Sequence, residues 1–339
     1  MQQQAGRRPS MARVVLIASA LLVVVLFLLS RKTIATSTRI IIPPGATLAT
    51  AADTLERNGV IKSAFLFRTT ASMFGRGGTV PRPGRYIVPR GAPYATLLEQ
   101  FLTGRGQFRR LTIPEGWSIL QIARLMQDSL RIPVDSLISA TRDATRRARM
   151  KTPAADVEGY LFPATYDLGD GISAGQVIDS MLITFDRRWK RAWDPVLQQA
   201  GRSRHAAVTL ASIVEKEAGR SSDRALIAAV YTNRLRAGMR LQADPTVVYA
   251  MGMVSKQRVL FDDLKFESPY NTYRVAGLPP GPIASPGTAS IAAAVEPATS
   301  DAIFFVAFPD GHSQFTKSFA EHTVAVKAAR AARDATAPR

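Results

Sequence analysis

The sequence predicts an α+β protein: a single N-terminal transmembrane helix, then a small α/β subdomain, then a larger α+β domain. Three observations predict it. From Val14 to Ser30 the chain reads VVLIASALLVVVLFLLS, without a charge. A pattern of strand, glycine turn and capped helix then recurs, first at Ile42 and again at Ile113. From about Leu111 onward, helical patterns alternate with short apolar runs.

The apolar run is flanked by Arg7, Arg8 and Arg13 before it and by Arg31 and Lys32 after it. At 1.5 Å per residue it covers roughly 25 Å, a little less than a hydrocarbon core, and the flanking side chains can snorkel to the interface. A cleaved signal peptide is the competing reading. Arg31-Lys32 stands where such a peptide needs small residues, which favours an uncleaved anchor. Residues 1–13 are then a short basic cytoplasmic tail, 14–30 the span and 31–38 a linker. Both flanks are basic, so orientation rests on the short positive start and the lack of a second span. The expectation is a single-pass protein of the inner membrane with its body outside the cytoplasm.

The small subdomain is expected over residues 39–110. Ile42-Pro43-Pro44-Gly45-Ala46-Thr47 precedes the helical pattern LATAADTLERNGV, and Ile113-Pro114-Glu115-Gly116-Trp117-Ser118 precedes ILQIARLMQDSL. A looser copy, Tyr86 to Gly91, leads to a helix through Leu97, Leu98 and Leu102. In each copy the glycine suits a left-handed turn, and Thr47, Ser118 or Thr96 can cap the helix. The run from Gly75 to Gly84, GRGGTVPRPG, reads as a hairpin or surface loop. The larger domain is expected over 111–330, with a basic tail at 331–339. Near its end, Ala302 to Phe308 reads as a buried strand before a Pro309-Asp310-Gly311 turn, and a last helix starts near Ser318 with capping-box spacing to Glu321.

Composition narrows the chemistry. The net charge of +18, from 44 basic and 26 acidic residues, suits an anionic setting. No nucleic-acid partner is expected, because the arginine runs (Arg109-Arg110, Arg146-Arg147) lack interleaved aromatics and any helix-turn-helix pattern. With no cysteine, thiol catalysis and disulfides are excluded, and three histidines without HExxH spacing leave little for a zinc site.

The segment richest in chemistry is Leu210 to Gly219, LASIVEKEAG. At about 100° per residue, Ile213, Val214 and Glu217 share one stripe, near 300°, 40° and 340°, while Glu215 points to about 140°. A glutamate against apolar side chains is desolvated, which raises its pKa toward a proton donor's. Glu217 is therefore the candidate general acid, the alternative being a structural glutamate paired with a buried arginine such as Arg234. Glu215 is expected to form an ion pair or position a neighbour. Ser221-Ser222-Asp223 is read as the cap of a following helix that carries Asn233 and Arg234. In the extended segment from Met239 to Thr246, Gln242 and Asp244 alternate toward one side, where they could line a groove. Tyr270, Asn271 and Tyr273 lie in a turn region rich in aromatics and amides, the groups that sugars need. Glu215, Asn233, Gln242, Asp244, Tyr270, Asn271 and Tyr273 form the candidate substrate-binding set.

The blocks EGYLFPATY, VEKEAG, YTNRLRAGMRLQADPTVVYAMG and SPYNTYRVAGLPPGPIASPG resemble, in order and spacing, the signature blocks of the YceG-like endolytic murein transglycosylases, the MltG family. The resemblance implies an inner-membrane lyase with a LysM-like subdomain and a catalytic domain facing the cell wall. Its substrate would be nascent peptidoglycan glycan strands, cut near the cell-wall synthesis machinery so that elongation terminates. It also implies that Glu217 is the catalytic acid. The acid would protonate the glycosidic oxygen after N-acetylmuramic acid and then, as carboxylate, take the proton of that sugar's C6 hydroxyl, leaving a 1,6-anhydro end. No metal or organic cofactor is required. One departure is Ala164, which stands where the family commonly has aspartate. The alternative function is a non-catalytic peptidoglycan-binding scaffold.

Overall fold

The computed structural model describes residues 38–88, 91–169, 171–253 and 259–336, together with Met11 and Ser19. The predicted span at 14–30 lies outside these residues apart from Ser19, as does the linker apart from Thr38. No helix among the described residues is long and apolar enough to cross a membrane. The chain divides into two compact units, residues 1–110 with 167–171, and residues 111–166 with 172–339.

The first unit begins with β1 (Thr38–Ile42), α1 (Leu48–Arg57), α2 (Ala64–Met73), β2 (Gly84–Val88) and α3 (Tyr94–Thr103). β1 and β2 pair antiparallel from Thr38↔Val88 to Ile42↔Gly84. Alternation decides which face is inside, with Ile40 and Ile42 buried and Arg39 and Ile41 not. Gly45 takes φ 76° at the turn after β1, and Thr47 caps α1 by accepting from the Thr50 amide at 3.2 Å. The segment before Gly84 is a surface loop and not a hairpin, since α1 and α2 separate the paired strands. A further expectation is corrected here. Thr96 lies inside α3, whose N-cap is Pro93 with no side-chain cap bond. The core is aromatic at its centre, where Phe67 meets Tyr94 edge-on at 5.3 Å and Tyr86 meets Phe101 at 5.0 Å.

β3 (Phe108–Thr112) leads to α4 (Ile119–Leu130), α5 (Val134–Thr141), α6 (Ala144–Met150) and β4 (Thr165–Gly169), which pairs with β3. Gly116 turns at φ 74°, and Gln121 reaches back to the Ser118 amide at 3.0 Å to start α4. Ala164 contributes its carbonyl, which accepts from the Ile113 amide at 2.9 Å. There follow α7 (Ala174–Arg188), α8 (Trp193–Gln199), α9 (Arg204–Glu217), a 3-10 turn (Ser221–Asp223), α10 (Arg224–Arg236), α11 (Asp244–Ala250), a second 3-10 turn (Asp263–Lys265) and α12 (Thr288–Val295). A hairpin of β5 (Phe304–Ala307) and β6 (Ser313–Thr316) and the last helix α13 (Phe319–Thr336) complete the chain.

α9 is the axis of this unit. Every residue from Ala207 to Val214 is buried, packed by α10, α11 and α12. The single apolar stripe read from the sequence understates this, because Ala, Ser and Thr positions also face neighbours. Ser212 gives its hydroxyl to the Thr209 carbonyl at 2.7 Å and receives the Ile283 amide at 3.0 Å. Three further expectations change. Asp223 does not cap α10 with its side chain; it accepts from the Ser313 amide at 2.8 Å. The strand expected over 302–308 is shorter and only part-buried. Ser318 and Glu321 do form the expected reciprocal cap, but α13 runs on into the expected tail as far as Thr336.

Candidate active site

Glu217 is the last residue of α9. Its side chain is partly exposed, yet the carboxyl is packed closely enough by protein that desolvation pushes its pKa up to about 7. The buried Tyr231, on α10, donates its hydroxyl to Glu217 Oε1 at 3.0 Å and opposes that rise, while the nearby Asp244 carboxylate adds to it. Arg234 stands one turn beyond Tyr231. Its guanidinium donates to the carbonyls of Ile303 at 2.7 Å and Leu241 at 2.6 Å and lies over the Phe304 ring, so its contribution to Glu217 is a distant positive field. A structural Glu217–Arg234 ion pair is not what holds the glutamate in place.

Near enough for its charge to act on Glu217 is a second pair. Tyr273 donates its hydroxyl to Asp244 Oδ1 at 2.6 Å, and Asp244 itself is exposed at the first turn of α11. The backbone around it is stitched to the turn after Asn271. The Gln242 amide reaches the Thr272 carbonyl at 3.1 Å and the Ala243 amide the Thr272 hydroxyl at 3.0 Å. Leu241 and Ala243 are buried while Gln242 and Asp244 are exposed, the alternation read from the sequence. The segment is not a regular strand, however. Gln242 has φ 52°, a left-handed conformation that favours glycine in other chains.

The remaining candidates divide. Asn271 is fully buried and commits both Nδ2 hydrogens to the Leu264 and Phe266 carbonyls, while its Oδ1 accepts the Tyr273 amide. Asn233 likewise gives its amide hydrogens to Ser300 and Ala302. Read from the sequence as sugar-binding, both instead hold backbone: Asn271 fixes the turn that aims Tyr273. Glu215 accepts from the Gly287 amide at 3.0 Å and pairs with Arg224 at 3.4 Å, the local ion pair expected of it and not a groove contact. Tyr270 packs its ring 5.0 Å from that of Tyr249. Among the described residues, no three His, Asp or Glu side chains converge as metal ligands would.

With this geometry in place, the comparisons with known proteins decide the family. A model of the YceG-like family matches residues 40–328. The chain belongs to the YceG-like family. It is 34% identical over 305 residues to the endolytic murein transglycosylase of Bacillus subtilis (strain 168), covering 86% of this chain and 84% of that one. It is 29% identical to the proteins of the same name from two Streptococcus pneumoniae strains, of which it spans about half the length (53%) while 78% of this chain is matched. Among solved structures, the 2.6 Å crystal structure of a yceG-like protein from Listeria monocytogenes superposes with a TM-score of 0.60 at 32% identity, covering 85% of this chain and 98% of that one.

Two parts of this YceG-like site escape sequence reasoning. Tyr231 reads as one more apolar position of α10, since only the packing of α10 on α9 brings its hydroxyl to Glu217. Glu158 sits in the EGYLFPATY block but gives no local sign of its environment. It is buried, accepts both contacts of the Ile119 amide at the start of α4 (3.2 and 3.0 Å) and receives the Tyr249 hydroxyl at 3.4 Å. Desolvation pushes its pKa up to about 8 against those hydrogen bonds. His205 completes this layer. It donates from Nε2 to the Pro280 carbonyl at 3.0 Å, which leaves Nδ1 to accept from Tyr160 at 3.1 Å and ties the EGYLFPATY block to the GLPPGP turn.

Proposed function

We propose that this chain is an endolytic peptidoglycan lytic transglycosylase, with Glu217 as acid and then base. The observation that carries the reading is the closely packed carboxyl of a part-exposed residue, which desolvation brings to a pKa of about 7 while Tyr231 holds it in one orientation. A group titrating near neutrality can both give and take a proton, which is what a one-carboxylate reaction asks of it. Protonated Glu217 gives its proton to the glycosidic oxygen after N-acetylmuramic acid. As carboxylate it then takes the proton of the C6 hydroxyl as that oxygen closes on C1, forming the 1,6-anhydro end without water. Ring closure is unimolecular, so orientation alone removes several kcal/mol of barrier, on the order of 7 or more for well-placed groups. Family membership and the name carried by the relatives support the same reaction.

In this reading Gln242, Asp244, Tyr270 and Tyr273 face the glycan strand, and the protein acts outside the cytoplasm from an anchor at residues 14–30. Residues 39–110 form the LysM-like part, a reading supported by the order β1–α1–α2–β2 with the two strands paired, and 111–330 the catalytic domain. Cutting nascent strands beside the synthesis machinery would end their elongation.

The test is mass spectrometry of uncross-linked glycan strands incubated with the full chain and with Glu217→Gln. Internal 1,6-anhydro fragments from the wild type alone are expected. Reducing ends would mean hydrolysis, and intact strands with the wild type would leave the scaffold reading.

A further inference from the structure

We infer that Asp244, fixed by Tyr273, is a second carboxylate of the active centre, one that transfers no proton but supplies the negative charge against which the anomeric carbon becomes positive. This rests on the reading of Glu217 as the acid. Two tyrosine–carboxylate pairs meet at this site, Tyr231 with Glu217 at 3.0 Å and Tyr273 with Asp244 at 2.6 Å. Their backbones are locked together. Arg234, on the same helix as Tyr231, holds the Leu241 carbonyl at 2.6 Å, and Gln242 and Ala243 are bonded to Thr272 beside Tyr273. Asp244 is exposed, so the tyrosine bond fixes its direction without closing it off.

The two acids cannot do the same work. In the bond-breaking step the Glu217 proton passes to the leaving oxygen, the C1–O bond breaks with its electron pair on that oxygen, and C1 is left electron-poor. The C6 oxygen then bonds to C1 while its proton returns to Glu217. Asp244 forms no bond and moves no proton. It stabilises the intervening positive charge from a direction that the Tyr273 bond has already fixed, so no reorganisation is needed as that charge develops. The same charge helps keep Glu217 protonated, since a like charge nearby disfavours ionisation.

The other charged groups act differently. Arg234 opposes that effect from α10, α12 carries no titratable residue, and Lys216 donates to the Gly116 carbonyl. Arg220, Asp310 and His312, beyond the end of α9, are engaged with one another.

The test compares Asp244→Asn, Tyr273→Phe and Glu217→Gln in the full chain, following anhydro-end formation on defined uncross-linked strands as kcat and KM across pH 5 to 9. Asparagine keeps an acceptor for Tyr273 and removes only the charge. The expected result is a fall in kcat on the order of 10²-fold with KM little changed. The alkaline limb of the profile should also move to lower pH, because Glu217 loses the neighbour that raises it. Unchanged kcat, or a loss confined to KM with the limb in place, would mean a sugar contact only and overturn the inference. If Asp244→Asn does not fold, Tyr273→Phe decides. It frees the carboxylate but leaves both charges, so kcat should fall several-fold with the limb unmoved, and wild-type kcat would overturn the inference. An active Glu217→Gln would instead overturn the underlying acid reading, whatever the Asp244 variant does.

Discussion

Replacing Glu158 with Gln should make the second unit more stable as pH rises. Glu158 is 3% exposed and its pKa is pushed up to about 8 by burial. In the unfolded chain a glutamate titrates near 4.3. Between those values the unfolded chain releases a proton that the folded one keeps, so this group's contribution to stability is present at acid pH and is lost as pH rises through about 8. Each pH unit crossed costs about 1.4 kcal/mol, so from pH 5 to pH 8 the wild type gives up about 4 kcal/mol through this residue. Glutamine does not titrate. Its oxygen can still accept the Ile119 amide and its nitrogen can donate to Tyr249, so the two proteins should match within about 1 kcal/mol at pH 5 and diverge steadily above it. Glu217 titrates in both proteins and cancels in the difference. Urea unfolding followed by tryptophan fluorescence reads the right part of the molecule, because the three tryptophans, Trp117, Trp189 and Trp193, all lie in the second unit. A stability difference that stays constant with pH, or that grows in favour of the wild type, would refute the assignment of Glu158 as a buried neutral acid.

Other variants test the site from different sides. Tyr231→Phe removes a hydrogen bond to the ionised form of Glu217, worth about 1.5–3 kcal/mol. The alkaline limb of the activity profile should rise by about one to two pH units, opposite in sign to the effect of Asp244→Asn; a fall would place the hydroxyl elsewhere. Gly159→Ala should destabilise the second unit by about 2–4 kcal/mol in the same urea assay. Gly159 has φ 81°, and a methyl there would lie 2.4 Å from Pro282 Cβ. A variant of wild-type stability would show that the EGYLFP and GLPPGP blocks do not pack as described.

How much of this was legible depended on the range of the interaction. Capped turns are local, so Gly45 with Thr47 and Gly116 with Gln121 could be read from neighbouring letters. Thr96 looked like a cap by the same rule and was not, because the preceding proline already fixes the backbone where α3 begins. The alternation of Gln242 and Asp244 was legible, whereas the left-handed φ of Gln242 was not, since it is imposed by the bonds of this segment to Thr272. Asn233 and Asn271 had the right chemistry for sugars. Which way an amide turns is set by unpaired carbonyls far along the chain, at Ser300 and Ala302 for the first.

Glu217 was legible as the proposed acid because two demands coincide on one residue. A general acid needs a carboxyl that substrate can reach but that protein desolvates. The last residue of a buried helix meets both conditions, with α9 shielding one side and the chain turning away on the other. The negative end of the helix dipole also works against a carboxylate there, in the same direction as burial. Turning away at once requires Gly219, since a Cβ at that position would stand 2.9 Å from the Gly311 carbonyl oxygen. Apolar residues through Val214, a glutamate on their face and a glycine just beyond therefore record one physical arrangement. What local letters could not record is that Tyr231 and Asp244 come to stand near Glu217, where they supply opposing pulls on the same proton from α10 and α11. The position of the proposed acid was thus written in one helix, while its tuning was distributed over the helices packed against it.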